Sequence, residues 1–206
     1  MKLRPANTRG TMKKSWITSL RTFSNNSYWD PRYMNYGPIK VINDDTQQPG
    51  GFVPNHEHKN YDIISYVVEG ELEHTDSLGN VSRARAGQIQ RMWAGSSIWH
   101  TEACVGDTPA RYLQIWITPN ETNTLAEYQL YDRSAEFAPL PFQVKQDITI
   151  RAGMLTEPVT TKNGYVYVVD GSCEIAGHTL TIGDGAEVDT DKISPLDKCH
   201  IILFEF

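Results

Sequence analysis

Cysteine is scarce and poorly spaced for a covalent role. Only Cys104, Cys173 and Cys199 occur, an odd set with no Cys-x-x-Cys pair. That argues against a disulfide framework and for a reducing, cytoplasmic setting. Long apolar runs are missing as well. No stretch approaches the ~20 residues of a membrane-spanning helix, and the opening Met1-Lys2-Leu3-Arg4-Pro5 lacks the apolar core of a signal peptide. No membrane association is expected. Positive charge is in deficit: 19 Lys and Arg against 25 Asp and Glu give a net charge of −6. This is the wrong sign for a broad surface against DNA or RNA, so direct nucleic-acid binding is disfavoured. No long amphipathic helix can be traced either.

What the chain has in quantity is short β-type runs bounded by Gly, Asn, Asp and Pro. Ile39 to Ile42, Ile63 to Val68, Ile89 to Trp93, Tyr112 to Ile117, Tyr165 to Val169 and His200 to Phe206 are rich in Val, Ile, Tyr and Trp, as strands are. Asp76-Ser77-Leu78-Gly79-Asn80 reads as a hairpin turn, with Gly79 and Asn80 suited to positive φ. Thr122 to Arg133 has some helical character. The pattern predicts an all-β fold of sandwich or barrel type, and 206 residues suffice for one large or two small cores.

A weak repeat suggests two related halves. Tyr66-Val67-Val68-Glu69-Gly70 is echoed by Tyr167-Val168-Val169-Asp170-Gly171. Each is followed by a further Gly turn, at Gly87 and at Gly183 to Gly185. Pro139 and Pro141 interrupt regular structure between the halves, so the domains are expected over 1–133 and 134–206.

The chemistry concentrates in the first half. His56 and His58 are one residue apart, and so are His100 and Glu102. On a strand, residues i and i+2 point to the same face. Two neighbouring strands would therefore bring three imidazoles and a carboxylate to one point. That donor set suits Fe(II), Mn(II), Ni(II), Cu(II) or Zn(II) in an open site. Glu102 is a candidate ligand and, as a base, the candidate catalytic residue; the alternative is a strand carboxylate facing water. His74, in the polar alternating run Glu71-Leu72-Glu73, is expected to be solvated or hydrogen-bonded, and His178 and His200 to be structural. Phe52, Met92, Trp93 and Trp99 flank the candidate ligands, as substrate walls or as ordinary core. Cys104 reads as a small buried residue.

Gly50-x5-His56-Glu57-His58 and Gly87-x5-Trp93-Ala94-Gly95-x4-His100-Thr101-Glu102 look like variants of the two cupin motifs. Asp62 and Trp93 stand where the general pattern has Glu and Pro. Together with Asn43-Asp44-Asp45, Ile64-Ser65-Tyr66-Val67-Val68-Glu69-Gly70, Glu73-His74-Thr75-Asp76-Ser77-Leu78-Gly79 and Gln114-Ile115-Trp116-Ile117, these motifs resemble the pirin family. The resemblance is dense from about residue 15 to residue 120.

It implies a bicupin, that is, two cupin-type β-barrels, with one mononuclear metal in the first. Thr160-Thr161-Lys162-Asn163-Gly164 stands where the second barrel would need its His-x-His, so that barrel is expected to lack metal ligands. The ligands carry over onto His56, His58, His100 and Glu102. The implied ion is one divalent transition metal, usually iron, with Ni, Mn, Cu or Zn as alternatives. The resemblance also implies a small aromatic substrate and O2, as in pirins that oxidise flavonols such as quercetin. The other implied role is a metal- or redox-responsive cofactor of a regulator, with a protein partner the sequence does not identify. Three features depart from the family: Arg21 where bacterial members often have His, bulky Trp93 and Trp99, and a short C-terminal half.

Overall fold

The structure, a computed structural model, describes all 206 residues. It is built of strands, with one 3-10 turn at Ala6–Thr8 and no α-helix. No helix is long and apolar enough to cross a membrane. The backbone divides into two compact units: Gly10–Asp132 with Val144–Gln146, and Met1–Arg9 with Arg133–Gln143 and Asp147–Phe206. The first strand, β1 (Lys2–Arg4), thus belongs with the C-terminal half rather than the N-terminal domain that the sequence suggests for it. It pairs antiparallel with residues 185–187, and Leu3 packs on the apolar cluster of that half.

The N-terminal unit contains β2 (Gly10–Lys13), β3 (Ile17–Arg21), β4 (Ile39–Gln47), β5 (Phe52–His58), β6 (Asp62–Glu69), β7 (Glu71–Asp76), β8 (Val81–Arg85), β9 (Gln88–Trp93), β10 (Ile98–Cys104), β11 (Ala110–Ile117) and β12 (Glu127–Asp132). They form a seven-stranded sheet in the order β12-β9-β6-β11-β4-β3-β2 and a four-stranded sheet in the order β5-β10-β7-β8. β12 lies where the sequence suggested helix. Its residues pair with β9 from Glu127↔Trp93 to Asp132↔Gln88, and this sheet edge outweighs a local preference.

Cross-strand partners share a face, so the register can be read as rows across the barrel interior. On the large sheet one row runs Gln90–Ser65–Gln114–Asn43–Arg21. The row above it is Met92–Ile63–Trp116–Val41, and the row below includes Val67–Tyr112–Asp45–Ser19. On the small sheet His56–His100–Asp76 forms one row and Val53–Glu102–His74–Ser82 the next. A register shift between His100 and Glu102 accommodates an extra residue of β5 and brings both His56 and Val53 onto the inner face. The polar middle lies between two apolar clusters: Val67, Leu72, Ala84, Cys104, Ala110 and Tyr112 on one side, and Ile63, Met92, Ala94 and Ile98 with Tyr61 and Trp116 on the other.

The C-terminal unit is one eight-stranded sheet of β1 with β13 (Ala138–Pro139), β14 (Thr149–Met154), β15 (Val159–Thr160), β16 (Gly164–Ile175), β17 (His178–Thr181), β18 (Gly185–Val188) and β19 (Lys192–Glu205). The long β16–β19 pair carries an apolar core that includes Val166, Val168, Ile175, Ile201 and Leu203. The sequence repeat has a backbone counterpart. Gly70 and Gly171 both adopt φ +72°, and a Cβ would fall on the carbonyl oxygen of Pro109 in one half and of Asp197 in the other. Both positions therefore demand glycine.

Candidate metal centre

β5 and β10 are neighbours, and their register sets His56 opposite His100 and His58 opposite Ile98. The three imidazoles converge. His56 Nε2 lies 2.9 Å from His58 Nε2 and 3.1 Å from His100 Nε2, and the ring centroids are 4.4–5.0 Å apart. Two donors at about 2.1 Å from a common ion and about 90° apart lie about 3.0 Å from each other. The observed spacings therefore match neighbouring corners of an octahedron.

Proton placement points the same way. The Nδ1–H of His56 donates to the Pro54 carbonyl at 2.9 Å, which turns Nε2 toward the other two imidazoles. Burial and the neighbouring imidazoles push His58 and His100 down to about 3, so both rings stay neutral near pH 7. Neutral imidazole is the metal-binding form.

Glu102 lies on the adjoining row. It accepts hydrogen bonds from Ser65 Oγ and Gln114 Nε2, each at 3.3 Å. Its carboxylate groups with His100 and His74, all within 4.8 Å of one another, whereas His56, His58 and His100 form their own group. The structure thus brings the three histidines to one point and joins Glu102 to them through His100. Ser65, His74, Gln90, Met92, His100, Glu102 and Tyr128 are among the residues that line a small internal cavity of about 10 Å³.

Of the flanking aromatic and apolar residues, only Met92 faces this interior. Trp93 is wholly buried, and it lies on the opposite face of β9 from Gln90 and Met92. Its Nε1–H donates to Thr124 Oγ1 at 2.7 Å. Phe52 and Trp99 are 52% and 44% exposed. Trp99 alternates with His100, and Phe52 pairs with Ala103, so both project from the outer face. Neither tryptophan reshapes access to the histidines. The aromatic neighbour of the histidines is instead Trp116, whose ring meets His58 edge-on at 4.9 Å and is in turn flanked by Tyr61 at 5.4 Å.

Asp62, the departure from the general cupin pattern, is fully buried. It accepts from Arg91 at 3.0 and 2.8 Å and from the Lys145 N–H at 2.8 Å, so its role is structural. Arg21 is buried too and donates to the Asn25 carbonyl and Ser27 Oγ.

Sequence reasoning undervalued two residues. His74 and Asp76 are buried, and both share the inner face with the candidate ligands. His74 stacks on Tyr128 at 4.1 Å, and Tyr128 is hydrogen-bonded to Ser82 and Gln90. The signal was present: His74-x-Asp76 repeats the i, i+2 spacing of His56-x-His58.

The Pirin family model matches residues 2–117, and that of the quercetinase C-terminal cupin domain matches residues 139–206. A quercetin 2,3-dioxygenase of Escherichia coli O157:H7 is 34% identical over 93% of this chain and 91% of its own length. The crystal structure of YhhW from Escherichia coli superposes with a TM-score of 0.93 at 30% identity, covering 99% of this chain and 96% of YhhW. A second structure, of the same bacterial pirin in complex with nickel(II), gives 0.92 at 30% identity, covering 99% and 97%. The folded barrels, the histidine cluster and these matches agree, and the chain belongs to the pirin family.

Proposed function

We propose that this protein is a metal-dependent dioxygenase that cleaves flavonols such as quercetin with O2. His56, His58, His100 and Glu102 would hold one divalent transition metal. Iron is the first candidate, and Ni, Mn, Cu or Zn suit the same donors. The observation that carries this reading is the meeting of three imidazoles at 2.9 and 3.1 Å beside a buried carboxylate. A nickel(II) complex of YhhW and a relative named quercetin 2,3-dioxygenase support the metal and the substrate class.

When bound, the ion would supply Lewis acidity toward a hydroxyl of the flavonol. The protein does the rest. Trp116 and Tyr61 offer aromatic faces to a planar ring, and aromatic contacts rather than net charge would supply affinity. Glu102, oriented by Ser65 and Gln114, would take the hydroxyl proton. A cytoplasmic setting fits Cys104, Cys173 and Cys199, all buried and free.

A second reading, a metal- or redox-responsive interaction protein, draws on one observation. Phe52 and Trp99 are exposed on the outer face of the two strands that carry the histidines. One assay separates the two readings: Fe(II)-reconstituted protein with quercetin and O2, against a His56→Ala/His58→Ala control. Metal-dependent loss of flavonol absorbance with CO release is expected. Stoichiometric metal without turnover across a flavonol panel would move the weight to the interaction reading.

A further inference from the structure

We infer that Asp76 and His74 are positioning residues that hold the proton of His100 on Nδ1, so that its Nε2 lone pair faces His56. The inference rests on the reading of the histidine cluster as a metal centre. It starts from the hairpin. Asp76 Oδ1 accepts from the N–H groups of Leu78 and Asn80 and from Asn80 Nδ2, at 2.9, 3.1 and 3.1 Å. Its Oδ2 accepts from Asn80 Nδ2 at 2.9 Å and faces His74 Nε2 at 3.0 Å. An ionised carboxylate can only accept, so the proton between Asp76 and His74 sits on His74 Nε2.

With the proton that faces Asp76 held on Nε2, His74 offers Nδ1 as an acceptor. That atom lies 3.3 Å from His100 Nδ1, within hydrogen-bond reach. With His74 Nδ1 accepting, the donor is His100 Nδ1–H, and the Nε2 lone pair of His100 is turned toward His56 Nε2, 3.1 Å away. The chain Asp76–His74–His100 thus fixes a tautomer over two hydrogen bonds. Its anchor is the turn at Gly79, where φ is +90°. His74 cannot rotate away, because its ring lies flat on Tyr128 with an interplanar angle of 8°.

The polarity of the chain makes a sharp test. In Asp76→Asn, Oδ1 keeps its three donors, so the new amide NH2 faces His74 Nε2. His74 must then carry its proton on Nδ1, and His100 must carry its own on Nε2, the side facing the metal. His74→Phe keeps a flat ring on Tyr128 but removes the acceptor. His74→Asn restores a carbonyl acceptor near the position of Nδ1.

Long-range 1H–15N correlation spectra of the metal-free protein read each tautomer directly. The wild type is expected to show His100 as Nδ1–H and His74 as Nε2–H, with both reversed in Asp76→Asn. Affinity for Ni(II) by chelator competition should fall about 10- to 100-fold in Asp76→Asn and His74→Phe and largely recover in His74→Asn. A wild-type His100 protonated on Nε2 would overturn the inference. So would an Asp76→Asn protein with unchanged tautomers and unchanged affinity. If the variants do not fold, the wild-type spectrum decides alone. A wild type that binds no metal defeats the metal reading, while its spectra still decide the tautomer chain.

Discussion

Asp45 should weaken the N-terminal barrel above neutral pH, and Asp45→Asn should remove that penalty. The carboxyl lies on the inner face between Ser19 and Tyr112. It is 6% exposed, and its Oδ1 has no hydrogen-bond partner. Burial pushes its pKa from 3.8 up to about 7; Glu102 and Asp44 raise it further, while the Ser19 hydrogen bond and Arg21 oppose. A folded-state value above the unfolded one means that the folded protein keeps a proton the unfolded chain has released. Below the unfolded value the two states are equally protonated and there is no penalty. Between the two values stability falls as pH rises, and above about 7 the full deficit applies. At 1.36 kcal/mol per pKa unit, the deficit is roughly 2 kcal/mol at pH 5 and about 4 kcal/mol at pH 8. Asparagine has no such titration, so the stability gap between variant and wild type should widen over that interval. All five tryptophans (16, 29, 93, 99 and 116) lie in the N-terminal unit. Urea unfolding of metal-free protein followed by tryptophan fluorescence therefore isolates the relevant transition. A gap that does not change with pH, or a variant less stable than wild type at pH 8, would refute the reasoning.

Three further outcomes follow from the same geometry. Arg91→Met strands the fully buried Asp62 carboxylate and should cost about 3–5 kcal/mol; the fluorescence-detected urea midpoint measures it. Gly70→Ala and Gly171→Ala force the same left-handed backbone on an L-residue in the two halves. Each should lose at least about 1–2 kcal/mol, with only the first shifting the tryptophan transition and the second visible in the far-UV circular dichroism melt. Trp116→Ala removes the aromatic contact beside His58, worth about 1 kcal/mol, and should raise KM for a flavonol several-fold with metal content unchanged. A loss of bound metal instead would make Trp116 a support of His58 rather than a substrate wall.

The donor pairs were legible because strand alternation is local. His56-x-His58 and His100-x-Glu102 need only i, i+2 periodicity to put each pair on one face. What alternation cannot supply is which strands face each other and in what register. That information decided the rest. Trp93 flanks the second motif in sequence, yet the pleat turns it away from the cavity, while Trp116, distant in sequence from both motifs, reaches His58. Glu71 to Asp76 looks like a solvent-facing strand because Glu71 and Glu73 alternate with Leu72 and His74. Its inner residues are in fact Leu72, His74 and Asp76, and pairing with β10 buries them. β1 was misplaced for a similar reason: three residues carry no mark of the sheet edge they will join.

The row Gln90–Ser65–Gln114–Asn43–Arg21 ties these results together. A barrel interior filled with such side chains is expensive, because each buried polar group must find a partner or bear its desolvation. Gln90 Nε2 and Gln114 Oε1 have none within the protein. An apolar row would fold more stably and would leave Glu102 with nothing to orient it. Ser65 and Gln114 aim its carboxylate from the facing sheet, and Asp76 and His74 aim the His100 ring from within its own sheet. The two supports act from different sheets on two residues of one strand, His100 and Glu102, that share its inner face. A change in the register of β10 by one residue would turn His100 and Glu102 outward and abolish both supports together. The bulge between His100 and Glu102 lets β5 present both His56 and Val53 inward against them, and this irregular step is where the barrel departs from ordinary pairing to build a site.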